Sequence, residues 1–437
     1  MKTFSQGIHP KYSKGKTRGK AIQELPAPQR VVIPLHQHTG AACEPLVKVG
    51  DQVFEGQKIG ETSKFISAPV HASISGLVKK IEPMPHPCGT DVMSVVIEAA
   101  PVANSGLPAK SYDSLAELSP DKIRKIVREA GIVGLGGAAF PTHVKLTPPE
   151  GKKIDTILVN GCECEPYITA DHRLMLEKTE EIIFGARAAA MATGAQRIII
   201  GIENNKKDAI ERMKSVVRKQ RDFQSAVIVL KTKYPQGGEK MLVKAVLNRE
   251  VPSQGLPLDV GVVVINVGTA AAIMEAITRG SPLTKRVVTV TGPGIKEPKN
   301  LLVRVGTTFK DVIDQCGGLT ETANKVIMGG PMMGISQYSQ DVPVVKATSC
   351  ILVLTKKQMI EEKVYPCIKC SRCVDHCPVF LLPSRLAAFS EKAKYGQFED
   401  WGGADCIECG CCAYVCPAKI QIVQWIKLAK LKLRQMR

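Results

Sequence analysis

Aromatic residues are scarce, 5% of 437 residues with two tryptophans. They do not interleave with the basic residues as a nucleic-acid-binding module requires, so nucleic acid is not an expected partner. Long apolar runs are lacking too. The longest, residues 260–277, is interrupted by Asn266 and Glu275 and suits a strand–turn–helix better than a membrane span. The polar opening MKTFSQGIHP does not read as a signal peptide. Fifteen cysteines are too few for a disulfide scaffold in a chain this long and too many to be incidental. A cytosolic, thiol-reducing compartment is expected, where clustered cysteines read as metal sites.

Acid is missing from both ends. Residues 1–20 carry six basic residues and residues 420–437 carry five, with no acid in either stretch, which is more than half of the net charge of +18. Such ends are either solvated tails or docking elements for an acidic protein or an anionic membrane. The rest is ordinary: 44% hydrophobic and 23% charged residues can bury real cores. The length suits about three domains of roughly 100–200 residues.

After a basic segment at 1–29, residues 30–105 read as short strands cut by Gly and Pro turns. They resemble a lipoyl-type barrel-sandwich module, with only Lys64 near the hairpin that normally presents a modified lysine. Residues 101–114 read as a linker. From 115 to 282 helices alternate with β-branched strands, the pattern of a mainly parallel, Rossmann-like α/β domain. Within it, 172–194 reads as one helix. Residues 283–348 form a small α+β unit, 349–419 are dominated by cysteine, and 420–437 read as a basic amphipathic helix.

The strongest signal is C-x2-C-x2-C-x3-C-P, present twice: Cys367, Cys370, Cys373, Cys377-Pro378, then Cys406, Cys409, Cys412, Cys416-Pro417. Two-residue gaps let three thiolates wrap one face of an iron–sulfur cube, and the fourth cysteine reaches the other cube. One [4Fe–4S] cluster is therefore expected on Cys367, Cys370, Cys373 and Cys416, the second on Cys406, Cys409, Cys412 and Cys377. Cys411 is out of register and reads as a non-ligand. Zinc would need neither the repeat nor the C-P ending.

A glycine-rich loop, Gly131 to Thr142, lets backbone amides approach a phosphate or a flavin ring. It is not the usual dinucleotide fingerprint, since no strand directly precedes it. Three patches join it: Val159 to Pro166, Tyr234 to Glu239 and Ile265 to Thr269. Each lies after a strand, so all three are expected at the carboxyl edge of the sheet, where such sheets bind ligands. Cys162 and Cys164 have no partner at metal spacing and read as packed small residues.

GxxGxGGAAFPTxxK at 131–145, VNGCECEP, YPQGGE and NVGT resemble the flavin- and NADH-binding subunit of respiratory complex I. Residues 291–318 resemble its β-grasp SLBB module. With the barrel-sandwich start and the double-cluster end, the chain resembles the RnfC family of the Rnf electron-transport complexes. The resemblance implies FMN beside Gly134, Gly136, Gly137 and Lys145, with Asn266 and Thr269 on its phosphate side. Asn160 and Glu163 would lie by flavin and nicotinamide, Glu163 being the one catalytic candidate. Glu165 would orient NADH, Tyr234, Gly237 and Glu239 would line the same pocket, and Phe140 would stack on adenine. Four positions depart from the complex I pattern: Leu135 for Arg, Cys162 for Asp, Gly238 for Glu and Pro148 for an aromatic.

The implied activity is that of an ion-translocating NADH:ferredoxin oxidoreductase complex: hydride exchange between NAD(H) and FMN, then single-electron transfer through the clusters, coupled to Na+ or H+ transport. Implied partners are other membrane subunits, including a ferredoxin-like iron–sulfur protein, with the chain peripheral on the cytoplasmic face. A microcompartment cobalamin reductase shares the modules but places its clusters centrally and the barrel-sandwich last. An iron–sulfur adaptor without flavin turnover, and a scaffold docking through the barrel module, stay open as well.

Overall fold

The β-branched runs in the middle of the chain build one parallel sheet. Strands Thr156–Gly161, Arg197–Glu203, Gln224–Leu230 and Val262–Asn266 lie in the order 224–230, 197–203, 156–161, 262–266, every pair parallel. The computed structural model describes residues 1–101, 111–219, 223–359 and 363–436. The expected linker thus lies largely outside the described residues, as does Arg437.

Helices cover the sheet, and their ends follow from local chemistry. Ser119 caps Pro120–Glu129 through its hydroxyl, which accepts from Lys122 N–H at 3.3 Å, and Pro120 fills the first turn where its missing N–H costs nothing. The single helix expected over 172–194 is two, Ala170–Glu177 and Thr179–Thr193. At the break, the Thr179 hydroxyl donates to the Met175 carbonyl at 2.5 Å, and Lys178 leaves helical geometry with its ammonium on Glu275 at 2.6 Å. The alanine-rich second helix packs on Val267–Arg279 so closely that a Cβ on Gly185 would overlap the Ala270 carbonyl.

The barrel-sandwich module pairs Arg30–Pro34, Asp91–Ala99, Gly76–Pro85 and Gln52–Val53 in one sheet and Glu44–Pro45, Lys58–Glu61 and Val70–His71 in another. Val31, Ile33, Val53, Ile59, Val78 and Ile97 fill the space between. The hairpin side of this module reaches the α/β domain. Phe65, next to exposed Lys64, accepts a hydrogen bond at its carbonyl from His143 Nε2 at 3.1 Å, and Thr39 donates to the Ala138 carbonyl at 2.9 Å. The module is thus docked on the glycine-rich loop.

The α+β unit is larger than the segment 283–348. Its six-stranded sheet runs Ile22–Glu24, Lys299–Arg304, Lys285–Thr291, Cys350–Thr355, Ala323–Met328, Ile335–Ser336. Ile22–Glu24 comes from the N-terminal segment and pairs parallel to 300–302. Cys350–Thr355 lies between two strands of this sheet, so the boundary expected at 348/349 cuts it and belongs near residue 355.

Neither basic end is a solvated tail. Residues 1–20 form a strap across the chain's own domains, and four of their five lysines end on backbone carbonyls. Lys2 donates to Val246 at 2.7 Å, Lys20 to Pro298 at 2.7 Å, and Lys14 to Glu163. At the other end, Ile422–Met436 buries Ile422, Val423, Ile426 and Ala429 in a core shared with Leu386 and Phe398. Among the described residues no helix is long and apolar enough to cross a membrane.

Gly185→Ala is expected to lower folding stability by about 1–3 kcal/mol or more, since backbone rather than a flexible side chain occupies the space. Thermal unfolding checks this, and an unchanged midpoint would mean that the two helices separate freely.

Candidate functional site

Pro120–Glu129 ends at Ala130, and Gly131 turns the chain with φ +62° into the glycine-rich loop. The loop is fastened at three points. Gly134 N–H donates to the Phe140 carbonyl at 2.8 Å, Leu135 N–H to Thr269 Oγ1 at 2.9 Å, and the Leu135 carbonyl accepts from buried Arg286 at 2.8 Å. Gly136, Gly137 and Ala138 stay exposed, and a Cβ on Gly137 would meet nothing within 4 Å. Beneath them Asn266 caps Val267–Arg279, its Oδ1 accepting from Gly268 N–H at 2.8 Å and its Nδ2 donating to Asp171 at 2.7 Å. The structure thus brings Gly134, Gly136, Gly137, Asn266 and Thr269 together over a helix N-terminus, where backbone N–H groups favour an anion. Lys145, on the short helix Thr142–Lys145, is ion-paired with Glu239 and donates to the Val264 carbonyl at 3.3 Å. Phe140 is half-buried.

The strand ends meet as the crevice rule requires. Asn160 Nδ2 donates to the Gly237 carbonyl at 2.8 Å, and its Oδ1 accepts from Cys162 N–H at 3.1 Å. Glu163 sits at φ +47°, a conformation unusual for a non-glycine residue. Its carboxylate accepts from Asp171 and His172 N–H at 2.7 and 3.3 Å, capping Ala170–Glu177, and faces the Lys14 ammonium at 3.6 Å. Burial pushes its pKa up to about 7. Glu165 does not project into open space. It accepts from the N–H groups of Met332 and Met333 at 3.2 and 2.9 Å, and burial raises it to about 7 as well. Tyr234 is 1% exposed, and its hydroxyl donates to the Cys409 carbonyl at 2.8 Å.

Three departures from the complex I pattern have a local cause or setting. Leu135 and Cys162 are buried. A Cβ on Gly238 would lie 3.9 Å from Ile407, so a longer side chain there would press on the cysteine domain. Cys162 and Cys164 are packed residues, their thiol pKa values raised by burial, Cys164 to about 12. His143 and His172 are spent on the Phe65 carbonyl and Asp208.

The cysteines gather in two sets. Cys377, Cys406, Cys409 and Cys412 line the more closed of two cavities with Ile407, Leu386 and Ile426; Cys411 reaches this wall too. Cys367, Cys370, Cys373 and Cys416 line a second cavity with Tyr365, Pro417 and Trp425, and Cys367 and Cys370 are exposed. Each motif residue recurs 39 positions later, and so does the backbone: Lys369 and Glu408, Ser371 and Gly410, Phe380 and Lys419 are all left-handed. Those turns aim N–H groups at sulfur, as from Leu381 to Cys377 and from Glu408 to Cys406, both 3.4 Å. Cys411 Sγ instead points at the Tyr234 carbonyl, 4.0 Å away. Among the described residues no three His, Cys, Asp or Glu side chains converge to hold a single ion; the thiols surround cavities.

The closed set is welded to the sheet edge. Ile8, Tyr234, Cys409 and Cys411 form one apolar cluster, with Cys164, Met332, Ile407 and Val415 packed on it. Sequence reasoning missed this junction and missed Thr39, Lys14 and Arg286, because each acts across a separation that no local pattern marks. Cys377→Ala is expected to remove the cluster of the second motif although Cys377 belongs to the first, while Cys411→Ala keeps about eight iron atoms per chain. Iron and sulfide analysis with EPR spectra checks both.

Four family models match: the RnfC barrel sandwich hybrid domain at residues 2–101, the Nuo51 FMN-binding domain at 127–275, the SLBB domain at 287–336 and a 4Fe-4S dicluster domain at 366–420. The C subunit of the Na(+)-translocating ferredoxin:NAD(+) oxidoreductase complex of Acetobacterium woodii is 47% identical over 428 residues, 98% of this chain and 96% of the relative. The C subunit of the proton-translocating ferredoxin:NAD(+) oxidoreductase complex of Clostridium ljungdahlii is 47% identical over 433 residues, 98% and 94%. Among solved structures, an NAD+-reducing [NiFe]-hydrogenase in the H2-reduced state aligns with TM-score 0.51 at 17% identity, over 76% of this chain and 65% of the other, a likeness of fold alone. The module order, the two cysteine frames and near full-length identity agree: the chain belongs to the RnfC family, the C subunits of ion-translocating ferredoxin:NAD(+) oxidoreductase complexes.

Proposed function

We propose that the chain exchanges hydride between NAD(H) and FMN over the carboxyl edge of its sheet and passes electrons singly through two [4Fe–4S] clusters. The receiver is a ferredoxin-like iron–sulfur subunit of a membrane complex that moves Na+ or H+. The observation that carries this reading is the hydrogen bond from Tyr234 to the Cys409 carbonyl, which seats a cluster-binding turn directly on the flavin-side patch.

The residues present fit both groups. Gly134, Gly136 and Gly137 offer open backbone, Asn266 and Thr269 line the capped helix start, and Lys145 is a cation held by the half-exposed Glu239. Lys145 would turn from Glu239 to the FMN phosphate, leaving Glu239 to accept from NADH. Asn160 and Glu163 would lie by the flavin ring, and Phe140 and Gly237 would line the dinucleotide side. Glu165 and Tyr234 form the wall of the site and hold it against Met332 and Cys409. Eight thiols in two sets of four suit two cubes.

When bound, the flavin accepts two electrons as hydride and releases them one at a time, and the clusters carry single electrons onward. The chain supplies position and dryness. Tyr234, Ile407 and Met332 exclude water between the sheet edge and the closed cavity. The open cavity, rimmed by exposed Tyr365, Ile368 and Leu428 beside Lys369, is the surface suited to hand electrons to a partner. A chain of this kind is peripheral, held at the cytoplasmic face by its partners.

Anaerobic titration of the reconstituted chain with NADH tests the reading. Flavin absorbance should bleach, and reduced-cluster EPR signals should follow when a low-potential donor completes reduction. A chain that binds FMN but is not bleached by NADH has a different donor. One that binds no flavin is an electron-carrying adaptor.

A further inference from the structure

The N-terminal strap delivers one side chain that hydride and electron transfer do not themselves require. Lys14 is 2% exposed, and its ammonium donates to the Glu163 carbonyl and faces the Glu163 carboxylate at 3.6 Å. Its neighbours fix its place. Ser13 N–H donates to the Pro166 carbonyl at 3.0 Å, and buried Thr17 accepts from the Thr169 hydroxyl at 2.8 Å. The strap therefore grips the turn 163–169 from both sides, with Lys14 at the residue whose backbone is left-handed.

Few other charges face that carboxylate, and most are committed elsewhere. From the helix Ala170–Glu177 come two N–H groups and the Asp171 carboxylate, itself held by Asn266. From the end of Arg197–Glu203 comes Lys206, whose ammonium is on the Cys162 carbonyl and on Glu203 at 3.1 Å. From the same turn comes the Cys164 thiol, raised by burial. Burial and Asp171 disfavour a charged Glu163, while Lys14 and Lys206 favour it, Lys14 the more. A buried carboxylate without its cation takes up a proton.

We propose that Lys14 is a positioning residue of the flavin site: the strap favours the ionised form of Glu163 and holds its turn in place, and so tunes the charge beside the bound flavin. The role rests on the functional reading above and extends it to a residue outside the α/β domain. Burial pushes Glu163 up to about 7, Lys14 being the strongest influence that holds it down, and burial lowers the Lys14 ammonium in turn. Without Lys14, Glu163 should hold its proton to higher pH.

The test measures FMN affinity by flavin fluorescence from pH 5.5 to 8.5 on the full chain with clusters reconstituted. Each protein is compared with its own Glu163→Gln partner, which cancels ionisation of the FMN phosphate. The ratio of wild type to Glu163→Gln should change several-fold with a midpoint near pH 7. The ratio of Lys14→Met to Lys14→Met/Glu163→Gln should move that midpoint up by about one pH unit or more, and Lys14→Arg should restore it. A midpoint that Lys14→Met leaves in place overturns the proposal, as does a ratio flat with pH in wild type. If Lys14→Met does not fold, the double variant decides. Removing both charges relieves the unpaired carboxylate, so the proposal requires the double variant to fold and bind FMN; a double variant that also fails makes Lys14 a packing residue and overturns it. A wild-type chain that binds no FMN overturns the functional reading itself, whereas an FMN-binding chain with an unmoved midpoint overturns this role alone.

Discussion

The junction around Tyr234 is the contact on which the architecture depends. Four segments that are remote in sequence meet there: the strap at Ile8, the sheet edge at Cys164 and Tyr234, the β-grasp loop at Met332, and the cluster turn at Cys409 and Cys411. Together they bury a phenol whose hydroxyl must find a partner, and the Cys409 carbonyl is that partner. This bond and the packing around it, rather than a linker, set the distance between the nucleotide edge and the more closed thiol cavity.

Around that junction the chain uses buried charge to hold loops. Glu165 fastens the β-grasp loop through two N–H groups, and Glu163 fastens a helix start and the strap. Lys346 joins the barrel-sandwich at Pro69 to the first glycine of the nucleotide loop at Gly131, both at 2.7 Å. Burial lowers its pKa to about 7. These ties join modules, and through them the barrel-sandwich acts as a clamp on the loop it touches.

The local parts of this structure were legible in the sequence. Spacing alone divided eight cysteines into the two sets that line two cavities, because three of each set lie within seven residues and the fourth is the C-P cysteine of the other motif. The strands and the three edge patches were legible for the same reason, a short pattern with one physical meaning. What was not legible is long-range. Ile22–Glu24 reads as part of a basic tail until it pairs with residues 300–302, and Cys350–Thr355 reads as the start of the cysteine domain until its neighbours in the sheet are known. Glu165 and Tyr234 look like pocket-lining groups from their motif, and only the position of Met332 and Cys409 turns them into wall.

The 39-residue repeat gives the two cavities the same thiol frame and the same left-handed turns, yet one is the more enclosed and the other the more open, with Cys367 and Cys370 exposed. A cubane gains negative charge when it is reduced, and solvent stabilises that charge. Two copies of one frame in unequal dielectric therefore differ in potential without any change of ligand, the more open site being the easier to reduce. Burial alone would tilt the path outward, and evolution could set its slope by adjusting how much of Cys367 and Cys370 a partner covers.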